Sequence, residues 1–221
     1  MLRGLFVTGS DTGVGKTVVS AALMHRLRTR TSKVCYWKPF QTGFPPDSDT
    51  QTVRDLGNCK DSEISDVGIR LAAPLAPLYA GRLEGKTVTI ADAISRQTLK
   101  ADAVYIIEGA GGLLVPINEK EMMIDLIARL AIPVVVATRS TLGTINHTLL
   151  TLEALRRRNI PIAGVVMVGE PSSDNQEAIE KFGDVTVLGA MPFFETLDAQ
   201  SLARWAETHF DVHDDLLEMV R

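Results

Sequence analysis

The sequence is poor in cysteine, in aromatic residues and in positive charge, and each shortage excludes a class of protein. Two cysteines, Cys35 and Cys59, are too few for a disulfide framework or a four-cysteine metal site. The 23 basic residues against 27 acidic residues give a net charge of −4. This balance argues against nucleic acid or an anionic membrane as the main partner, because both require a cationic face. No apolar run approaches a membrane span or a signal peptide, so we expect a cytoplasmic protein.

What the sequence does contain is an alternation of short apolar runs and longer helical patterns. Strands are predicted at residues 5–8, 34–37, 103–107, 133–137, 162–167 and 185–191, and helices at residues 18–27, 123–130, 145–157, 176–182 and 202–209. The strands are apolar on both faces, which is typical of a parallel sheet covered by helices on both sides. We therefore predict one doubly wound α/β domain spanning residues 1–221. Residues 39–99 are predicted to form loops with short helices.

The strongest motif is a glycine-rich segment between the first strand and the first helix, at residues 9–17. Its glycines let backbone N–H groups surround phosphate oxygens, and the helix N-terminus adds partial positive charge. Lys16 would reach the β- and γ-phosphates, and the Thr17 hydroxyl would ligate Mg²⁺. The segment departs from the strict P-loop by one residue, since Ser10 stands where that pattern has glycine. An ordinary glycine-rich turn is the alternative.

Further polar residues follow the ends of the other predicted strands. Lys38 follows the second strand and could balance charge on a transferring phosphoryl group, although it could also be a solvated surface lysine. Glu108 ends the third strand, where a Walker-B-type acid holds Mg²⁺, and glycines follow it. Asp47 and Asp49 lie in a loop and alone indicate little. After the fourth strand, a helix N-terminus is predicted at Thr144.

Four blocks of residues, at 9–17, 38–43, 108–112 and 142–147, together resemble the dethiobiotin synthetase family over residues 5–192. The resemblance implies a P-loop NTPase fold and an ATP- and Mg²⁺-dependent cyclo-ligase of biotin biosynthesis. It implies that 7,8-diaminononanoate takes up CO₂ as a carbamate, which attacks the γ-phosphate. The second amine then displaces phosphate and closes the ureido ring of dethiobiotin.

The resemblance also implies the roles of individual residues. Lys16 and Lys38 would be catalytic, and Thr17, Asp49 and Glu108 would ligate Mg²⁺. The nucleotide would contact Gly13, Val14, Gly15, Lys16, Thr17, Val18, Asp49, Glu108, Gly109, Ala110, Gly111, Val168, Gly169, Pro192, Phe193 and Phe194. The substrate would contact Thr12, Lys38, Thr42, Gly111, Gly112, Leu142, Gly143 and Asn146. A homodimer is implied, with the 142–147 loop reaching the substrate's carboxylate across the interface.

One departure from the family pattern concerns the nucleotide base. Family members often have Asn-Asp after the fifth strand, whereas this sequence has Val168-Gly169. A valine cannot make the bidentate contact of an amide to adenine, so weak discrimination among bases is predicted. Two other functions are kept open: a P-loop switch protein, which Asp11 in place of an early lysine disfavours, and an unrelated small-molecule kinase.

Overall fold

Strands and helices alternate along most of the chain in a computed structural model that describes residues 2–31, 33–46 and 48–220. The strands are β1 (Arg3–Gly9), β2 (Val34–Trp37), β3 (Phe40–Thr42), β4 (Ile64–Ser65), β5 (Ile69–Leu71), β6 (Val104–Gly112), β7 (Val134–Arg139), β8 (Ile162–Val168) and β9 (Val187–Met191). The helices are α1 (Lys16–Arg28), α2 (Asp49–Leu56), α3 (Pro77–Leu83), α4 (Ile90–Ser95), α5 (Met123–Leu130), α6 (Thr144–Arg157), α7 (Ser173–Gly183), α8 (Ala199–Thr208) and α9 (Asp215–Met219). No helix in these described ranges has both the length and the apolar character needed to cross a membrane.

A seven-stranded parallel sheet runs through the described part of the chain in the order β4-β2-β6-β1-β7-β8-β9. Strand β1 lies near its centre, with Val7 paired with Glu108 of β6 and Thr8 paired with Val136 of β7. Because the strands are parallel, their carboxyl ends share one edge of the sheet, which is where such folds bind ligands. The P-loop and the polar strand ends are therefore brought together.

Helices cover both faces of the sheet, as the apolar strands predicted. Phe6 of β1 belongs to a core with α5 and α6, whereas Leu5 and Val7 belong to the core on the other face with α1 and α8. This alternation of side chains within one fully buried strand is the packing expected of a doubly wound fold. The predicted α/β fold class is confirmed.

The structure differs from the predicted elements in several places. Strand β6 does not end at Glu108 but continues through the glycines to Gly112, which pairs with Gly9 of β1. A Cβ on Gly9 would meet the phosphate loop, 2.5 Å from the Asp11 carbonyl oxygen, so this glycine is needed where β1 enters the loop. Residues 39–99 contain the expected short helices, but also β4 and a separate pair, β3 and β5, that were not predicted. Helix α1 begins two residues earlier than predicted, and α9 was not predicted.

Candidate active site

The P-loop connects the central strand β1 to α1. Gly15 precedes the helix with φ of 92°, a left-handed conformation that favours glycine. A Cβ on Gly15 would lie 3.1 Å from a methyl group of Val168, so a side chain there would also be crowded. Lys16 is almost fully buried and its Nζ donates to the backbone carbonyl of Asp11 at 3.3 Å. Burial lowers the Lys16 pKa, against the opposing effect of Glu108.

Three oxygen-bearing side chains converge beside the first turn of α1. Thr17 Oγ1 lies 3.0 Å from Glu108 Oε1 and 3.1 Å from Asp49 Oδ1, within donating distance of either. Glu108 comes from the central sheet and Asp49 is the first residue of α2. Among the described residues, no group of three or more His, Cys, Asp and Glu could by itself hold a metal ion.

Lys38 lies against the same two carboxylates. Its Nζ is 2.8 Å from Glu108 Oε1, forms an ion pair with Asp49 and donates to the Gly109 carbonyl at 3.4 Å. Burial opposes the charge of Lys38, but the two carboxylates more than offset it and raise the Lys38 pKa. Burial likewise works against the Asp49 charge, and Lys38 and Thr17 together hold the Asp49 pKa below its usual value.

Two residues that sequence reasoning missed complete this cluster. The buried Tyr36 hydroxyl donates to Glu108 Oε2 at 2.8 Å. Gln41 Oε1 accepts from the Asp49 backbone N–H at 3.1 Å, and its amide donates to the Thr42 carbonyl at 2.9 Å. A signal existed for each, because Tyr36 is two residues before Lys38 and Gln41 lies inside the 38–43 block.

Two adjoining clefts contain most of the predicted site residues. The larger, of about 540 Å³, is lined by parts of the phosphate loop, by the carboxylate cluster and by four of the predicted substrate residues, Thr12, Lys38, Thr42 and Gly111. Its full lining is Thr12, Gly13, Gly15, Lys16, Thr17, Val18, Lys38, Gln41, Thr42, Ser48, Asp49, Thr52, Pro74, Glu108, Ala110 and Gly111. The smaller, of about 360 Å³, is more apolar and is lined by Gly13, Val14, Gly15, Val18, Arg139, Thr141, Val168, Met191, Pro192, Phe193, Phe194 and Leu197. The two clefts share three lining residues, Gly13, Gly15 and Val18. Together the clefts are therefore suited to a nucleoside joined to a phosphate chain.

The remaining predicted residues occupy other positions. Gly169 lies beside Phe193, since a Cβ on Gly169 would be 3.5 Å from the Phe193 ring. Gly112 is at the end of β6 and does not line either cleft. Leu142, Gly143 and Asn146 are exposed at the start of α6, outside both clefts of their own chain. Asp47 lies outside the described residues.

Arg139 is a further residue that sequence reasoning did not assign to the site. It lies at the end of β7, and its Nη2 donates to the Thr12 carbonyl at 2.8 Å. Its Nη1 is 3.4 Å from Asp11 Oδ2, so the guanidinium bridges two consecutive residues of the phosphate loop. Both partners are half-exposed, and the ion pair therefore contributes mainly to position rather than to stability.

Comparison with known proteins shows the family of this chain. A family model described as an AAA domain matches residues 3–201. The ATP-dependent dethiobiotin synthetase BioD of Paramagnetospirillum magneticum is 45% identical over 91% of this chain and 94% of that protein. The chain belongs to the dethiobiotin synthetase family. The biotin biosynthesis bifunctional protein BioCD of Bordetella avium is 49% identical over 93% of this chain, but the match covers only 43% of that longer protein.

The fold of this dethiobiotin synthetase family member also resembles that of known P-loop proteins. The septum site-determining protein MinD of Pyrococcus horikoshii, solved with Mg-ADP, superposes with a TM-score of 0.59 over 94% of this chain and 95% of that one. At 16% identity the likeness shows the fold alone. The family predicted from the four sequence blocks is thus confirmed, and so is the P-loop fold.

Proposed function

We propose that this chain, acting as a single cytoplasmic domain, is an ATP-dependent dethiobiotin synthetase that closes the ureido ring of dethiobiotin from 7,8-diaminononanoate and CO₂. The observation that carries the proposal is the convergence of Lys38, Thr17, Asp49 and Glu108 beside the phosphate loop, in a chain of this family. Phosphoryl transfer depends on positioning and on charge stabilisation, and this cluster can supply both.

The residues present fit a magnesium ion. Thr17 Oγ1 is within 3.1 Å of an oxygen of Asp49 and of Glu108, and all three are the hard oxygen ligands that Mg²⁺ prefers. These three residues would hold the ion. When bound, it would neutralise charge on the β- and γ-phosphates of the nucleotide.

The phosphate loop would hold the triphosphate itself. Its backbone N–H groups and the start of α1 favour anions, and Lys16 projects into the same cleft. Within the described part of the chain, the buried Lys16 ammonium is bonded only to the carbonyl of Asp11, and it can turn towards the terminal phosphates.

The rest of the larger cleft would hold the diamine. Thr12 and Thr42 line it and would contact the diamine and the carbamate, while the backbone at Gly111, which also lines it, would hold the reacting groups. One amine adds to CO₂, and a carbamate oxygen attacks the γ-phosphorus as ADP leaves. The other amine then attacks the carbamoyl carbon and expels phosphate. Lys38 would face the negative charge that develops on the transferring group.

A homodimer would complete the substrate site. Leu142 and Asn146 are exposed and lie outside the clefts of their own chain, which supports a role for them in a partner's site. Mixing Lys16→Ala protomers with Asn146→Ala protomers should restore activity that neither variant has alone. Absence of complementation in a mixture shown to contain hybrid dimers would contradict a shared site.

The smaller cleft would hold the base with weak selectivity. Its side chains are mainly apolar, and Val168 packs against the Gly15 backbone where an amide could have read adenine. Pro192, Phe193 and Phe194 offer shape and ring surface, which every base can use. CTP and GTP are therefore expected to support turnover beside ATP.

The deciding experiment measures phosphate release with 7,8-diaminononanoate, bicarbonate and Mg²⁺, in parallel with ATP, CTP and GTP. The proposal expects release that requires both the diamine and bicarbonate, with dethiobiotin formed in equal amount. Release that does not depend on the diamine, with every triphosphate, would reject the synthetase and favour a switch ATPase. A strong preference for ATP would reject only the relaxed base selectivity.

A further inference from the structure

The carboxylates proposed to bind Mg²⁺ are already bonded to a cation of the chain itself. Lys38 Nζ is 2.8 Å from Glu108 Oε1 and pairs with Asp49. Thr17 Oγ1 lies 3.0 Å from the same Glu108 oxygen and 3.1 Å from Asp49. The Lys38 ammonium and the Thr17 hydroxyl thus contact the same two carboxylates, and both contact the same oxygen, Glu108 Oε1.

Burial explains why a cation is required there. The Glu108 side chain is fully buried, and an unpaired carboxylate in such a place is strongly destabilising. Tyr36 donates to Glu108 Oε2, which leaves Oε1 and its charge to Lys38 and Thr17. Lys16, the other buried lysine of the cleft, donates instead to a backbone carbonyl and contacts neither carboxylate.

We propose that Lys38 is a built-in counterion that competes with the divalent cation for Asp49 and Glu108. The metal then binds tightly only together with a triphosphate, whose negative charge gives the displaced ammonium a new partner. This inference rests on the proposed function only in taking Thr17, Asp49 and Glu108 as the metal ligands. Lys38 would then have two successive roles. Without nucleotide it balances the charge of Asp49 and Glu108, and with nucleotide bound it faces the transferring phosphoryl group.

The test is a titration with Mn²⁺, without nucleotide, in which electron paramagnetic resonance measures the free ion. Wild type is compared with Lys38→Met, which removes the ammonium and keeps much of the side-chain length. Lys16→Met is the matched control, because it removes an equal charge from the same cleft without freeing a carboxylate. Lys38→Met is expected to bind Mn²⁺ at least about tenfold more tightly than wild type, and Lys16→Met less than about threefold.

Two results would overturn the inference. Equal gains in the two variants would show a general effect of charge, and unchanged affinity in Lys38→Met would show that the ammonium does not compete. Thermal unfolding gives an independent measure if Lys38→Met is too unstable for titration. Added Mn²⁺ should raise its Tm more than that of wild type, because at the same ligand concentration a tighter-binding ligand stabilises the folded state more.

A parallel titration with a non-hydrolysable ATP analogue separates this inference from the proposed function. If Mn²⁺ binds to all three proteins with the analogue, but Lys38→Met has no advantage without it, only the counterion role is rejected. If Mn²⁺ binds to none of them under either condition, the metal site is wrong and both proposals are rejected.

Discussion

Tyr36→Phe removes one hydrogen-bond donor from a carboxylate that water cannot reach. The hydroxyl donates to Glu108 Oε2 at 2.8 Å, and both side chains are fully buried. Burial, reinforced by the Glu108 charge, raises the Tyr36 pKa well above its usual value, so the hydroxyl stays protonated and remains a donor. A hydrogen bond to a charged group contributes about 1.5–3 kcal/mol to stability.

For a chain of this length each kcal/mol corresponds to a Tm change of about 2–4 °C. Tyr36→Phe is therefore expected to lower the Tm by about 3–12 °C, measured by circular dichroism at neutral pH. Tyr105→Phe is the matched control, because its buried hydroxyl accepts a bond from an uncharged group, the Lys100 backbone N–H at 2.9 Å. A neutral bond contributes about 0.5–1.5 kcal/mol, so the control should lose less. An equal or smaller loss in Tyr36→Phe would refute the reasoning.

Three further predictions concern the two clefts. Lys16→Ala and Lys38→Ala should keep the native circular dichroism spectrum while phosphate release falls by about 10²-fold or more, whereas Lys33→Ala, at an exposed lysine, should leave release unchanged. Val168→Asn should raise the ratio of kcat/KM for ATP to that for CTP, and no change would contradict an apolar base site. The Asp49 pKa is held below 3.8, so its stabilising effect is complete above that pH and is lost as the pH falls through the folded value. The Tm difference between wild type and Asp49→Asn should therefore shrink on acidification, and a constant difference would exclude the ionised pair.

The fold was largely predictable because the strands of a doubly wound sheet are apolar on both faces. Helices and strands then follow from hydrophobic pattern alone. The errors lie where local sequence misleads. Residues 109–112 resemble a loop because of their glycines, yet they extend β6 by pairing with β1. The two residues of β4 and the pair β3–β5 are too short to have a period, and their partners are distant in sequence.

Site residues were predictable only where a polar side chain comes shortly after the end of a predicted strand. Lys16, Thr17, Lys38 and Glu108 are such residues, and the structure brings them together. Asp49 has no pattern of its own and was inferred from resemblance to the family. Tyr36 and Gln41 were missed although they lie beside and within the 38–43 block. Tyr36 is in a buried strand and Gln41 is in the short strand β3, and their roles show only once their partners, Glu108 and Asp49, are placed.

The two carboxylates of the cluster, Glu108 and Asp49, belong to segments that are buried to different extents. Glu108 is part of the central sheet, between β1 and β2, and is fully buried. Asp49 begins an eight-residue helix in which only Val53 is buried, and its side chain is one-third exposed. Segments with few buried contacts open at lower free energy than core strands. Amide hydrogens of α2 should therefore exchange with solvent sooner than those of β6, and one half of the cluster can open while the other half keeps its place.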